Sequence, residues 1–348
     1  MHDLSTVNVA KFLQKSRQQN QDSCGKSRQN RKISCSGSCK RTKKHYITLC
    51  VGLSGSEQEH TGGEDPEGNM ILKQGVWNMS LSKMQENLCN PPLILEKDQY
   101  RVKFAVTGEE LSSAFKLRYE AFKLEQGGKQ LQNRNRMDKD RFDDNCLHLL
   151  VEEKTSAKTV GTSRIHPGPV AAASNSGFYS EGEFKINGLE KIRLQTMEVG
   201  RSCVDGKYRN GTVLALLWAG ISEGLRRSGL RYLMGCASLE ECDQTAGWLL
   251  YDSFREQGKL SEELTGTALP HVKMERPSPE ELQKFKKGHP VMRKLLPPLF
   301  KGYLSMGAKI CSEPVFDRQF GSVDFLVLLD AGRLPERYQK HFNVPEIR

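Results

Sequence analysis

The 348 residues include 52 Lys/Arg against 42 Asp/Glu, a formal charge of +10, with 37% hydrophobic and 7% aromatic side chains. A mean hydropathy of −0.58 leaves apolar material for one large domain or two small ones, with part of the chain outside any core. No run of about eighteen uncharged apolar residues occurs, so a spanning helix is excluded.

The basic excess is local. Residues 1–50 hold eleven Lys/Arg and two Asp, whereas residues 51–100 hold three Lys/Arg and eight acids. The apolar run near the start, Val7–Leu13, is broken by Asn8 and Lys11, so no secretory signal is expected. Residues 1–95 are rich in Ser, Gln, Asn, Lys and Gly and predict a disordered tail, basic and then acidic. Its Lys and Arg lack interleaved aromatics, which makes nucleic-acid binding the disfavoured alternative. Ten cysteines at irregular spacing, with Cys35/Cys39 and Cys236/Cys242 as the close pairs, predict reduced thiols in a cytoplasmic protein and no metal site.

From Asp98 onward strands and helices alternate. RVKFAV reads as a strand. Glu109–Gln126 reads as a helix with Thr107 as its N-cap and Leu111, Phe115 and Phe122 on one stripe. After a polar segment, Gly127–Asn145, CLHLLVEE and TVGTSRI form two strands joined by a turn. LQTMEVGRSCV (strand), DGKYRNG (loop), Thr212–Ser228 (helix) and RYLMGCAS (strand) make a βαβ crossover with parallel neighbours. A helix over Glu241–Glu256 follows, then a Pro/Gly-broken stretch to about Pro290, a basic–apolar helix at Leu295–Met306, and two strands, AKICSEPV and SVDFLVLLD. The class is α/β (α+β), with a mixed central sheet and flanking helices in residues 96–345.

Arg118 projects from the apolar stripe of the first helix, where a guanidinium either meets an anion or snorkels to the helix edge. The loop beyond it carries Asp138, Asp140, Asp143 and Asp144. Glu198 and Arg201 interrupt the central strand three residues apart, on opposite faces if the strand is regular; Gly200 permits a β-bulge that turns both toward one cleft. Such a carboxylate serves as general base for an amine, or else pairs internally with Arg201. The loop Val204–Gly211 precedes a helix N-terminus, with Lys207 and Arg209 adding charge, and suits a phosphate. It lacks the P-loop and dinucleotide fingerprints. His148, in Leu-His-Leu-Leu, reads as a structural imidazole.

Four motifs in this order, Arg118-Tyr-Glu-Ala-Phe122, Asp138-Lys-Asp140-Arg-Phe142-Asp143, Gly161-Thr-Ser-Arg164 and Glu198-Val-Gly-Arg201, resemble the acyl-homoserine lactone synthases and long-chain N-acyl amino acid synthases, a GNAT-type branch. Gly177-Phe-Tyr-Ser-Glu181-Gly-Glu-Phe184, Leu296–Tyr303 and Asp317–Asp324 resemble the bacterial ornithine Nα-acyltransferases, and the resemblance covers about residues 98–342. It implies amide formation between a 3-hydroxyacyl thioester on acyl carrier protein and the α-amine of ornithine, giving lyso-ornithine lipid. Glu198 is then the expected base, with Arg201 and Asp143 catalytic beside it. Arg118, Phe122, Asp140, Phe142, Arg164 and Asp324 shape the acceptor cleft. Val204, Lys207, Arg209 and Gly211 hold the phosphate of the carrier's phosphopantetheine, and no metal or permanently bound cofactor is required. Direct attack is expected over an acyl-Cys203 route, since no His stands at motif spacing to activate the thiol. Basic residues at 284–301 interleave with apolar ones and suit an acidic carrier protein or the inner face of an anionic membrane, alongside the plainer reading of an amphipathic core helix. Another amine acceptor is the sibling alternative.

Overall fold

The computed structural model describes residues 92–125, 133–174, 176–239, 243–288 and 296–335, with Glu86 and Asn90. Most of the expected tail, the Cys35/Cys39 pair, Cys242, Arg293, Lys294 and the side chain of Lys287 lie outside the described residues.

β1 (Leu95–Lys97) folds back on β2 (Tyr100–Phe104), and Leu93 just before it is buried in the core, so packed structure begins slightly ahead of the expected start at 96. Thr107 caps α1 (Gly108–Tyr119) as expected: its side chain accepts from Glu110 N at 3.2 Å, and the Glu110 carboxylate accepts from Thr107 N at 3.0 Å. The helix expected to run to Gln126 is α-helical only to Tyr119 and then widens into a π-turn over Glu120–Glu125, which carries Phe122.

β3 (Leu147–Glu153) and β4 (Thr159–Pro167) form the predicted hairpin. A short α2 (Gly168–Ala173), a 3₁₀ turn (Tyr179–Gly182), β5 (Phe184–Asn187) and α3 (Leu189–Ile192) follow. Then come β6 (Thr196–Val204), α4 (Thr212–Ser228) and β7 (Tyr232–Leu239), the predicted crossover with its parallel pair. Beyond it lie α5 (Gln244–Glu256) and β8 (Thr265–Ala268), which pairs with β5 in a separate small sheet. α6 (Pro279–Gly288) occupies part of the stretch expected to be broken, and α7 (Pro298–Ser305) the basic–apolar segment. AKICSEPV divides into β9 (Lys309–Ile310) and β10 (Val315–Asp317), both antiparallel to β11 (Ser322–Asp330). The break leaves Cys311 N bonded to Leu326 O at 2.7 Å, so one interrupted edge still lines β11.

Among the described residues the main sheet runs β1-β2-β3-β4-β6-β7-β11-β10, with β9 also against β11. One face carries Val102, Leu149, Val151, Ile165, Met197 and Val199 and packs on α4. The buried stripe of α4 is Val213, Leu216, Leu217, Gly220, Ile221, Gly224 and Leu225, rotated from the helical spacing of Leu214, Leu217, Trp218, Ile221 and Leu225 that the sequence suggests, because Leu214 and Trp218 are half-buried. Gly220 is the contact point: a Cβ there would meet Leu149 and Val102 at 2.6–2.9 Å. The opposite face meets α1 through Phe115, Ala114 and Leu150. Register places Arg164 opposite His148 and Gly200, and His166 opposite Glu198, so this second face collects the polar residues.

β6 and β7 pair only over Thr196↔Tyr232, Met197↔Leu233 and Glu198↔Met234. Beyond that point β6 continues along β4, and β7 continues along β11. The two central strands therefore part just past Glu198.

Candidate active site

Three arginines and three aspartates form one buried network. Arg118, fully buried on α1, donates from Nε to Asp138 Oδ2 at 2.8 Å, and from Nη1 and Nη2 to the two Asp143 oxygens at 2.7 and 3.2 Å. It does not snorkel. Arg164 on β4 donates from Nη1 to both Asp140 oxygens, at 2.7 and 2.8 Å, and to Asp143 Oδ1 at 3.2 Å. Arg201 on β6 donates from Nη2 to Asp140 Oδ2 at 3.0 Å, and its Nε lies 3.4 Å from Asp138 Oδ2. The cluster is balanced in charge, which is what makes such burial tolerable.

The acidic loop is held in place by its own backbone. Asp138 N donates to Phe115 O at 3.0 Å, Phe142 N to Asp140 Oδ1 at 2.9 Å, and Asp140 N to Asp143 Oδ2 at 2.7 Å. Burial works to raise the Asp140 carboxyl, but Arg164 and then Arg201 outweigh it and hold it at about 2. Asp140 is thus a fixed anion.

The bulge expected near Gly200 is present: Thr162 faces Cys203 while Arg164 faces Gly200, so β6 carries one extra residue. The residue in the left-handed region is Arg201, at φ 50°, rather than Gly200. Its strain is offset by the ion pairs and by stacking: the guanidinium carbon lies 4.7 Å from the Tyr179 ring centroid and 4.6 Å from that of Phe320. Phe122 packs edge-on against Phe320 at 5.8 Å, and Phe142 against Tyr179 at 5.5 Å, extending an aromatic wall along the charges.

Glu198 stands apart from Arg201. Its Oε2 accepts from Tyr179 N at 2.8 Å, and its Oε1 from Ser180 N at 2.9 Å and Ser180 Oγ at 2.6 Å. The alternative of an internal Glu198–Arg201 pair gives way to these two separate partner sets. Burial raises the Glu198 carboxyl above its ordinary range, against the lowering effect of the Ser180 and Tyr179 hydrogen bonds. A buried carboxyl with a raised pKa, where the central strands part, suits proton transfer near neutral pH.

Two buried histidines pack among aromatic rings. His148 packs edge-on against Phe115 with its Nε2 3.3 Å from Asp143 O, and His166 packs against Phe178. Burial lowers both to about 4, so they are neutral imidazoles. Cys203 is buried against Leu117 and Ala121, and among the described residues Cys146, Cys203, Cys236 and Cys311 form no disulfide.

Val204, Lys207, Arg209 and Gly211 lie together at the end of β6 and the start of α4, beyond Arg201 on the same strand. Asp205 closes this loop by accepting from Lys207 N at 2.9 Å and from Lys158 Nζ at 2.6 Å. Arg209 Nε donates to Val204 O at 3.1 Å, and Gly211 takes φ 85° ahead of the helix.

Asp324 does not join Asp140 and Asp143. It faces Glu183 and Asp317, with carboxylate oxygens of all three within 4.8 Å of one another. On β11 it stands one strand beyond β7, and that register separates it from the Arg164 face of β4. Tyr179, Ser180, Glu183 and Asp317 lie in the motifs that carry the family resemblance, but the sequence assigns them no role. The acids spaced among aromatics in Phe178–Phe184 were the available signal.

The sheet, its parted centre and this polar face define an amide-forming acyltransferase of the GNAT type, and the family profile described as an acetyltransferase (GNAT) domain matches residues 117–219. The chain is 30% identical over 250 residues to the L-ornithine N(alpha)-acyltransferase of Brucella abortus (strain 2308), covering 69% of this chain and 88% of that protein. Over 243 residues it is 32% identical to the L-ornithine N(alpha)-acyltransferase of Agrobacterium fabrum, covering 67% and 81%. The chain belongs to the L-ornithine N(alpha)-acyltransferase family. The crystal structure of TofI in a ternary complex with an inhibitor and MTA aligns at 13% identity and a TM-score of 0.38, over 72% of this chain and 98% of that one. Among the described residues no helix is long and apolar enough to cross a membrane.

Proposed function

We propose that this enzyme transfers a 3-hydroxyacyl group from acyl carrier protein to the α-amine of ornithine, giving lyso-ornithine lipid. The observation that carries the reading is the conjunction on one stretch of β6: a buried Glu198 with a raised pKa, the bulge at Arg201, and the parting of β6 from β7 between them. The thioester arm enters between the parted strands, where main-chain groups are not committed to a β6–β7 ladder. Its phosphate reaches the Val204–Gly211 loop, near Lys207 and Arg209.

Near neutral pH an α-ammonium is mostly protonated, so it loses one proton to bulk solvent on binding. The free amine attacks the thioester carbonyl carbon; the N–C bond forms and the carbonyl electron pair moves onto oxygen. Backbone amides after Glu198 stabilise that oxyanion. The oxyanion then collapses: Glu198 takes the surplus proton from nitrogen, the C–S bond breaks, and that proton passes from Glu198 to the departing pantetheine thiolate, which leaves as the thiol and restores the carboxylate. Arg118, Arg164, Asp138, Asp140 and Asp143 fix the acceptor loop, and Arg201 holds Tyr179 and Phe320 against the cleft. In this reading Arg201 and Asp143 act by positioning.

The donor assignment rests on charge. Lys284 and Lys286 are exposed on α6 and Lys301 is half-buried on α7, a basic surface suited to an acidic carrier protein or an anionic membrane. The test compares matched acyl-carrier-protein and acyl-coenzyme A donors across salt concentration, reading products by mass. The carrier-protein donor is expected to outperform at low salt and to lose that advantage as salt rises, because exposed charges are screened beyond about 8–10 Å at physiological ionic strength. Equal efficiency at every salt concentration would overturn the carrier-protein donor.

A further inference from the structure

Two groups of buried acids lie on this face, and they differ in balance. Asp138, Asp140 and Asp143 are matched by Arg118, Arg164 and Arg201. Glu183, Asp317 and Asp324 are 5%, 6% and 4% exposed, yet among the described residues none of them makes an ion pair. Their hydrogen bonds come from neutral donors. Asp324 Oδ1 accepts from Ser322 Oγ at 2.8 Å and its carboxylate also bonds the Ser238 side chain; Asp317 Oδ1 accepts from Gln319 N and Phe320 N at 2.6 and 3.1 Å and its Oδ2 from Tyr179 Oη at 3.5 Å; Glu183 Oε2 accepts from Cys236 Sγ at 3.2 Å, and Tyr179 also bonds the Glu183 side chain. Glu183 Oε1 is buried with no hydrogen-bond partner.

Like charges buried together disfavour ionisation unless a cation joins them. An unsatisfied buried acceptor oxygen requires a donor. Both demands are met by a group that is cationic, rich in N–H donors and absent from the chain itself. We propose that Glu183, Asp317 and Asp324 form the pocket for the side-chain ammonium of the amino-acid acceptor, so that they select a diamino acid; this rests on the ornithine reading above.

The geometry fits an ammonium. Its three N–H donors match three carboxylates. Acceptors at about 2.8 Å around a tetrahedral nitrogen stand about 4.5 Å apart, within the 4.8 Å spread of the three acids. The same spread also admits a metal ion with the oxygens drawn closer, so the choice between ammonium and metal is made by the test below. The pocket is also contiguous with the proposed base. Glu198 is bonded to Ser180 Oγ at 2.6 Å, Ser180 Oγ lies 3.4 Å from Cys236 Sγ, and Cys236 Sγ reaches Glu183 at 3.2 Å. An acceptor with its α-amine at Glu198 can therefore span to the acids through a short methylene chain.

The test measures amide formation by the full chain with ornithine, lysine and norvaline, the last being ornithine without its terminal amine. With wild type, kcat/KM for ornithine should exceed that for norvaline by at least about 100-fold, since a buried site built to pair a polar group rejects analogues lacking it. Glu183→Gln and Asp324→Asn should each raise KM for ornithine at least about tenfold and shrink the ornithine-to-norvaline ratio, with a smaller change in kcat. A wild-type ratio near one would overturn the pocket even if both variants fail to fold. So would variants that keep the wild-type ratio, or activity abolished by EDTA and restored by Mg²⁺, which would place a metal ion there instead. No amide from any of the three acceptors would overturn the ornithine reading, and the pocket with it.

Discussion

Glu198→Gln separates chemistry from architecture at the centre of the site, because the carboxylate holds three donors. The amide of Gln keeps one carbonyl oxygen, which can still accept from Ser180 N and Ser180 Oγ. Its NH₂ then faces Tyr179 N, donor against donor, in a position where the parent residue is 5% exposed. Leaving one buried N–H unsatisfied costs about 1–3 kcal/mol. At about 2–4 °C per kcal/mol for a domain of this size, Tm should fall by about 2–12 °C. If Glu198 is also the base, amide formation should fall by about two to four orders of magnitude in the fraction that remains folded.

Ser180→Ala provides the comparison, since it removes one donor and leaves the carboxylate. The hydrogen bonds from Ser180 lower the Glu198 pKa, so their partial loss should raise it further and move the acid limb of kcat/KM to higher pH. Turnover on the alkaline plateau should stay near wild type. The assays are calorimetry for Tm and pH-dependent rates of product formation by mass. Glu198→Gln turnover within about tenfold of Ser180→Ala, at matched thermal loss, would refute the base and leave Glu198 as an anchor for Tyr179–Gly182.

Arg118→Met should destabilise by about 3–5 kcal/mol in urea unfolding, because it strands carboxylates of Asp138 and Asp143 in the interior; a loss below about 1 kcal/mol would show that Arg164 and Arg201 suffice. Asp140, held at about 2 against an ordinary 3.8, contributes stability that is present above about pH 4 and lost as pH falls through 2. That contribution is about 2 kcal/mol, so Asp140→Asn should flatten the acid limb of a stability–pH curve, and an unchanged limb would refute the assignment. Cys203→Ala should keep most activity, since direct attack makes no use of a thiol packed against Leu117 and Ala121; a trapped acyl-cysteine that turns over competently would refute it.

The regular elements were legible wherever local pattern and tertiary role agree. Thr212–Ser228 reads as a helix and is one with those bounds, because its apolar spacing matches a stripe that packs on the sheet. The π-turn at Glu120–Glu125 was not legible, since its residues continue a helical pattern while the backbone widens. α6 was hidden by the Pro and Gly on either side of it, and AKICSEPV reads as one strand although Pro314 lacks the N–H that would continue the ladder. In the site, an arginine on an apolar stripe left two outcomes open, an anion or the helix edge, and only the family resemblance placed Arg118 in one cleft with the Asp138–Asp143 loop. The placement of Asp324 was not legible, because strand order decides which charges meet, and β11 lies beyond β7 rather than beside β4.

The two acidic groups are joined through one residue. Tyr179 donates its backbone N–H to Glu198, places its hydroxyl 3.5 Å from Asp317, and lays its ring beneath Arg201 and Arg164, at 4.7 and 5.5 Å. The balanced group therefore serves as a rigid support, since each of its arginines already faces an anion at 3.4 Å or less. The unbalanced group has the opposite property: burial and its like charges raise Glu183 and Asp324, and the desolvation cost of their charged forms is relieved by a proton or by a bound cation. Coupling both to the Tyr179–Ser180 segment means that acceptor binding at the acids and the orientation of the Glu198 carboxylate draw on the same short turn. Specificity and proton transfer then share a structural element, which accounts for a 3₁₀ turn, otherwise a weak piece of structure, standing between two buried charge clusters.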